Sequence, residues 1–397
     1  MSLSVQSADR LKSVRPSVTH ALSAKAQALR KQGKSVVHLG VGDPDFDMPF
    51  HIKAASIDAI HEGYNKYMPG SGHKDLKEAV CLRYKRDCDL LVTPEEVLIT
   101  AGAKQALSAA CFALLNPGDE VIVPSPYWVS YLDVVQLAGG KPVVVKTTPE
   151  HRYLLTPEQL EAAITPKTKL LILNTPNNPS GMAYTEENLK ALAAVIKKHP
   201  HLIVLDDAVY DVIMWNPDKY VNFRMTCPDI QDQVVLINSL SKTYAMTGWR
   251  VGYSVQHPDL TKLMGIVASQ TTTCVNGIAQ MAGVEALSGK QDAVKKMVAQ
   301  YHERYTYLFE HVSTMPGFVL QPTDGTFFLL PDASGAIKFL GLKDDVALCA
   351  YLIEKVHVVL LPGSACGMPG HVRISFASSM ETLKLFVQRM DSIFRQA

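Results

Sequence analysis

A lysine between hydroxyl side chains, directly after a buried strand, is equipped for amine chemistry. Lys242 stands so in Ser239-Leu-Ser-Lys-Thr-Tyr-Ala-Met-Thr-Gly-Trp-Arg250. The apolar run at residues 234–237 predicts the strand before it. Burial favours the neutral amine, and a neutral amine forms a Schiff base with a carbonyl. Ser239, with Ser241 as the second candidate, and Arg250 offer hydroxyl and guanidinium donors to a phosphate.

Further candidates sit at other strand ends. Asp207 closes Leu202-Ile-Val-Leu-Asp-Asp207 and can pair with a pyridine nitrogen, while its neighbour Asp206 can cap a turn. Tyr210 can give its phenol to a ring oxygen. The turn Asn174-Thr-Pro-Asn-Asn-Pro-Ser-Gly181 aims one amide inward, and Asn178 is the residue chosen for the ring oxygen and a substrate carboxylate. Thr100-Ala-Gly-Ala-Lys104 joins a strand to a helix, so backbone N–H groups of Gly102, Ala103 and Lys104 can meet a phosphate at a helix start. Trp128 offers an aromatic face for stacking. Arg373, in the apolar strand His371-Val-Arg-Ile-Ser-Phe376, needs an anionic partner, and a bidentate α-carboxylate suits it. A Schiff-base lysine, an acid, ring-oxygen donors and an anion site are what pyridoxal 5'-phosphate requires of a protein.

The elements that position these residues follow from hydropathy. Between residues 97 and 207, continuous apolar strands alternate with amphipathic helices, the pattern of a mostly parallel α/β sheet covered on both faces. Ligands bind outside the carboxyl ends of such strands, where Gly102, Trp128, Asn178, Asp207 and Lys242 fall. After about residue 290 the texture changes to a long helix at 292–313, short strands at 317–321, 326–330, 356–361 and 372–376, and helices at 346–355 and 380–394. We read residues 1–45 as an arm packing with a small α+β domain at 291–397, and 46–290 as the large domain.

The 397 residues are 47% hydrophobic and 19% charged, with 39 Lys+Arg against 38 Asp+Glu. That suits a globular chain with a large core, and a net charge of +1 gives no reason to expect nucleic acid or an anionic membrane as partner. Seven scattered cysteines without a C-x-x-C pair read as reduced thiols, and the first residues lack the apolar core of a signal peptide. The expected location is cytoplasmic.

Over nearly its whole length the sequence resembles the fold type I pyridoxal-phosphate aminotransferases, within them the bacterial aspartate aminotransferase branch. The motifs that carry this are Leu-Gly-Val-Gly-Asp-Pro-Asp-Phe at 39–46, Asn-Lys-Tyr-Met-Pro-Gly-Ser-Gly at 65–72, Pro-Gly-Asp-Glu-Val-Ile-Val at 117–123, Ser-Pro-Tyr-Trp-Val-Ser-Tyr at 125–131, Asn-Asn-Pro-Ser-Gly at 177–181, Ser-Lys-x₃-Met-x-Gly-Trp-Arg at 241–250 and Val-Arg-Ile-Ser-Phe at 372–376. The resemblance implies Lys242 as cofactor holder and proton carrier, Asp207 at the ring nitrogen, and Tyr210 and Asn178 at the ring oxygen. It implies Trp128 on the ring, and Gly102, Ala103, Lys104, Ser239 and Arg250 at the phosphate. Arg373 would take the substrate α-carboxylate with Gly42 close by, and Tyr67 would reach the phosphate of a neighbouring subunit in a homodimer. The implied reaction moves an amino group from an amino acid, aspartate favoured, to 2-oxoglutarate. Aromatic amino acid or prephenate transamination is the alternative, and a related lyase the next. Gly325-Thr-Phe-Phe328 has threonine where relatives often carry a smaller residue. No counterpart is identifiable for the arginine that relatives send across to the distal carboxylate, and Arg15, Ser17 and Thr19 are the candidates for the substrate side chain.

Overall fold

The computed structural model describes residues 5–14, 16 and 18–394. Its strands, in chain order, are β1 (Val37–His38), β2 (Val97–Thr100), β3 (Glu120–Ser125), β4 (Lys141–Lys146), β5 (Thr168–Asn174), β6 (Ile203–Asp207), β7 (Val234–Ser239), β8 (Gly252–Val255), β9 (Phe328–Leu329), β10 (Val358–Val359), β11 (Leu361–Pro362) and β12 (Val372–Ser375). Seven of them form one sheet in the order β2-β8-β7-β6-β5-β3-β4. Only β8 runs against its neighbours, pairing antiparallel with β2 and β7. The inner strands β6 and β7 and the edge strand β2 are buried almost end to end, as strands covered on both faces must be.

The reversal of β8 matters to the site. The six parallel strands β2 to β7 bring their carboxyl ends to one edge of the sheet, and β8 brings its amino end, just after Arg250, to the same edge. Its first residue must be small. A Cβ on Gly252 would stand 2.7 Å from the Ala103 nitrogen, so a larger residue would push β8 off the turn at Gly102–Ala103.

The remaining strands make two small sheets, β1 with β10 and β11-β12-β9. Val37 and Leu39 from the amino-terminal segment share a core with side chains from Met297 onward, including Tyr301, Phe327, Phe328, Leu352 and Phe386. The helix Val18–Lys31 adds Ala26 against Ile353 and Val359. The apolar run at 356–361, expected as one strand, changes sheet midway: Val358–Val359 pairs with β1 and Leu361–Pro362 with β12. The expected strand at 317–321 is reduced to a single bridge between Val319 and Asp332. Val319 is an exposed side chain, so no core face holds that segment to a ladder. Among the described residues no helix is long and apolar enough to cross a membrane, and no cluster of metal-ligating side chains occurs.

Candidate active site

The strand ends enclose a cavity of about 260 Å³. Gly42, Ala103, Lys104, Trp128, Asn178, Asp207, Tyr210, Ser239, Lys242, Arg250 and Arg373 all line it, with Thr19 and Ser241. Gly102 stands just outside that lining as the N-cap of the Ala103–Leu114 helix, at φ 84°, where a Cβ would strike the Arg250 guanidinium. Tyr67 lies apart on the surface, 86% exposed. Arg15 and Ser17 fall outside the described residues.

Lys242 sits in the single turn Leu240–Thr243 that follows β7, with Ser239 as its N-cap. Its Nζ donates to the Gly42 carbonyl at 2.7 Å, a neutral acceptor. Burial lowers its pKa to about 8; Asp43 opposes that shift, and the Arg373 and Arg250 charges add to it. Gly42 must be glycine, since a Cβ there would stand 2.5 Å from the Phe328 ring.

Asp207, at the end of β6, is 6% exposed. Tyr131 donates its hydroxyl to Oδ2 at 2.6 Å, and the Val209 N–H reaches Oδ1 at 3.3 Å. Burial still pushes the carboxyl up to about 6, against both donors, so the group sits in a place that wants a cation. Its neighbour Asp206 points to the opposite face, as alternation along a strand requires. There one oxygen accepts from the Phe223 N–H at 3.3 Å, while Oδ1 has no partner among the described residues.

Burial pushes Asp206 up to about 7. The folded carboxyl then keeps its proton to about pH 7 while the unfolded one releases it near 4, so stability falls as pH rises between those values. Asp206→Asn, whose new amide donors are unpaired, is expected to be less stable than the native protein near pH 4 by about 1–3 kcal/mol. It should gain on the native protein as pH rises to about 8, by up to roughly the 4 kcal/mol of the full shift. Urea unfolding at both pH values tests this, and a pH-independent difference would reject it.

Arg373, on β12 and 2% exposed, donates to Asn178 Oδ1 at 3.0 Å and to the Gly40 carbonyl at 2.8 Å. Its Nε has no partner among the described residues, which leaves one edge of the fork open. The guanidinium carbon lies 4.4 Å over the Phe328 ring. Asn178 is itself held by Asn174, whose Oδ1 accepts the Asn178 N–H at 2.7 Å and whose amide donates to the Asp207 carbonyl at 2.7 Å. Tyr210, 3% exposed, wedges its ring edge-on between Phe327 and Phe328, and burial raises its pKa.

At the other end, Ser239 Oγ accepts from the Ser241 N–H at 3.1 Å, and the Ser239 and Ser241 hydroxyls meet at 2.7 Å. Arg250 donates to the Thr247 and Ala101 carbonyls at 2.8 and 3.1 Å. Hydroxyls, guanidinium and the start of the Ala103–Leu114 helix thus converge on a single anion-sized place.

Three contributors escaped the sequence reading. Tyr131 holds Asp207, and its place three residues after Trp128 on a helix start was the available signal. Asn174 braces Asn178. The Lys104 ammonium, considered only for its backbone, enters the cavity, donating to Ser130 Oγ at 3.3 Å and lying 4.8 Å from the Trp128 ring centre. Partial burial and the Arg250 charge lower its pKa.

Comparison with known proteins gives the family. The profile of the family "Aminotransferase class I and II" matches residues 34–390. The chain belongs to the class I and II aminotransferases. An aspartate/prephenate aminotransferase of Nitrosomonas europaea is 40% identical over 390 residues, 97% of this chain and 98% of its own. An aspartate aminotransferase of Geobacillus stearothermophilus is 42% identical over 383 residues, 96% of this chain and 97% of its own. Among solved structures, the aspartate aminotransferase of Rhizobium meliloti superposes with a TM-score of 0.94 at 38% identity, covering 98% of this chain and 99% of that one. The aspartate aminotransferase of Thermus thermophilus with maleate gives 0.91 at 38% identity, covering 98% and 100%. This aminotransferase therefore has the fold type I architecture of those enzymes, a mostly parallel sheet with helices.

Proposed function

We propose that this aminotransferase moves the amino group of an amino acid, aspartate first, to 2-oxoglutarate in two half-reactions, with pyridoxal 5'-phosphate in the cavity at the strand ends. The observation that carries the reading is Lys242, Asp207 and Arg373 around one cavity: a mainly buried amine, an acid without a cation, and a fork with an open edge. The residues fit the cofactor. A protonated pyridine nitrogen gives Asp207 its missing cation, and the Gly102 turn has room for a phosphate that a Cβ would remove. When bound, pyridoxal phosphate supplies an aldehyde that condenses with an amine and a ring that takes up the electron pair left at the substrate Cα.

The side chains divide the work. Lys242 holds the cofactor until the substrate amine displaces it, then takes the Cα proton and returns it. Tyr210 and Asn178 donate to the ring oxygen, and Trp128 covers the ring face. Ser239, Arg250 and the N–H groups of Gly102, Ala103 and Lys104 hold the phosphate. Arg373 receives the α-carboxylate beside Gly42. The Lys104 ammonium, bonded to a neutral hydroxyl, suits a second carboxylate at the Trp128 side. Maleate, named with the Thermus enzyme, has two carboxylates. So does prephenate, named for the Nitrosomonas relative, and the same two cations admit it as the alternative substrate.

Residues 46–290 form the large unit in this reading, and 1–45 with 291–397 the smaller one that closes over substrate and excludes water. The shared core of Val37, Leu39 and the residues from Met297 onward supports that grouping. The active form is a homodimer. Phe50, Ile57, Ile60, Tyr67 and Ile266 are exposed large side chains that a second copy can cover, and a groove lined by Phe46, Met48, Trp249 and Arg250 leads to the anion site. Tyr67 of that copy would reach the phosphate.

The test is the absorbance of the cofactor-loaded protein. Aspartate without an oxo acid should remove the visible band, and 2-oxoglutarate should restore it. Lys104→Met should lower kcat/KM for aspartate by roughly tenfold to a hundredfold and leave alanine nearly unaffected. A band indifferent to aspartate rejects the donor, and a monomer in sedimentation rejects the Tyr67 role.

A further inference from the structure

Behind the cavity, outside its lining, lies a buried ionic cluster that the proposed chemistry does not use. Arg83, on the helix Lys74–Cys88, and Asp211, the residue after Tyr210, are each 4% exposed. Arg83 Nη2 ion-pairs with Asp211 Oδ2, and Arg83 Nη1 donates to the Tyr253 hydroxyl at 3.0 Å. Asp87, one turn along, faces Arg83 Nε at 3.4 Å. The same Asp211 oxygen accepts from the Asn238 amide at 2.8 Å, and Asn238 Oδ1 accepts the Ser239 N–H at 2.7 Å.

These bonds form one line through the floor of the site. Asp211 is covalently next to Tyr210, at the ring-oxygen end. Asn238 is covalently next to Ser239, which caps the turn carrying Lys242. A single buried carboxylate therefore links the two segments, and Arg83 fixes that carboxylate from a separate helix. A buried ion pair gains little net stability over well-packed apolar residues, so its effect belongs to geometry more than to folding free energy.

We propose that Arg83, Asp211 and Asn238 are positioning residues that set the place of the Tyr210 hydroxyl relative to the Ser239–Lys242 turn. The proposal rests on the function given above. A donor to the ring oxygen stabilises the deprotonated form of the chromophore, so a displaced Tyr210 raises the pH at which the visible band titrates. Displacement also slows turnover more than it weakens substrate binding.

The experiment replaces the pair by apolar side chains, Arg83→Met with Asp211→Leu, in the full chain loaded with pyridoxal phosphate. The expected result is cooperative unfolding as in the native protein, a band midpoint raised by about half a pH unit or more, and kcat lowered roughly tenfold with KM little changed. Arg83→Lys, which keeps the charge but loses the fork, should fall between the two. A folded double variant with native midpoint and native kcat overturns the proposal. If the double variant does not fold, Asn238→Ala decides, because it cuts the line and leaves the ion pair. A raised midpoint supports the tie, and an unchanged one overturns it. A native protein that shows no band with pyridoxal phosphate overturns the proposed function and this inference together, a result distinct from an unchanged variant.

Discussion

Lys242→Ala is expected to lower turnover by roughly four orders of magnitude or more, since the proposed function makes one side chain both covalent holder and proton carrier. The loss should be chemical and not structural. Lys242 makes one side-chain hydrogen bond, to the Gly42 carbonyl, and that carbonyl then faces the cavity. Thermal unfolding of the variant should stay within a few degrees of native, while the band of the lysine-bound cofactor disappears. Lys242→Arg should not rescue, because a guanidinium stays protonated and cannot condense. Retention of more than about a hundredth of native turnover in Lys242→Ala, on pure protein, would sink the assignment.

Asp207→Asn should produce the second largest loss, a fall in kcat of roughly a thousandfold, in line with the removal of a preorganised charge from a dry site. Asparagine retains an acceptor for the Tyr131 hydroxyl, so the local packing should survive. What goes is the negative charge that the proposed function sets opposite the ring nitrogen, and with it the ability of the ring to take electrons. Loading should weaken less than turnover, because the phosphate donors Ser239, Arg250 and the Gly102 turn are untouched. Measured kcat within about tenfold of native would reject Asp207 as the partner of the nitrogen.

The parts legible in the sequence were those with simple physical causes. Continuous apolar runs announced β2, β3, β5, β6 and β7, and the helix Met380–Phe394 showed its periodicity plainly. Residues with chemistry stood where each run stopped, which is why most of the cavity lining could be named. The helix Gly277–Ser288 had no such signal. It packs between the helices Phe50–His61 and Lys74–Cys88, so it is apolar on more than one face and shows no stripe. β8 is a short Gly-Tyr-Ser-Val stretch, and its reversed direction depends on pairing with β7, just before it, and with β2, far back in the chain. Which of two adjacent acids faces the cavity depended on strand register, and register put Asp207 inward. The Lys104 side chain was invisible as a cavity residue because its direction follows from the packing of its helix start against the helix Ser130–Leu137, which the sequence does not show.

The neutral acceptor chosen by Lys242 has a consequence for populations. A lysine at its ordinary pKa is neutral in only about one molecule in a thousand at pH 7.5. With a pKa of about 8, roughly a quarter of the molecules carry the free amine at that pH. Had the Gly42 carbonyl been a carboxylate, the charged form would have been favoured and that fraction reduced again. Before any ligand arrives, the fold thus keeps a standing reserve of amine ready to react, larger than an exposed lysine would offer.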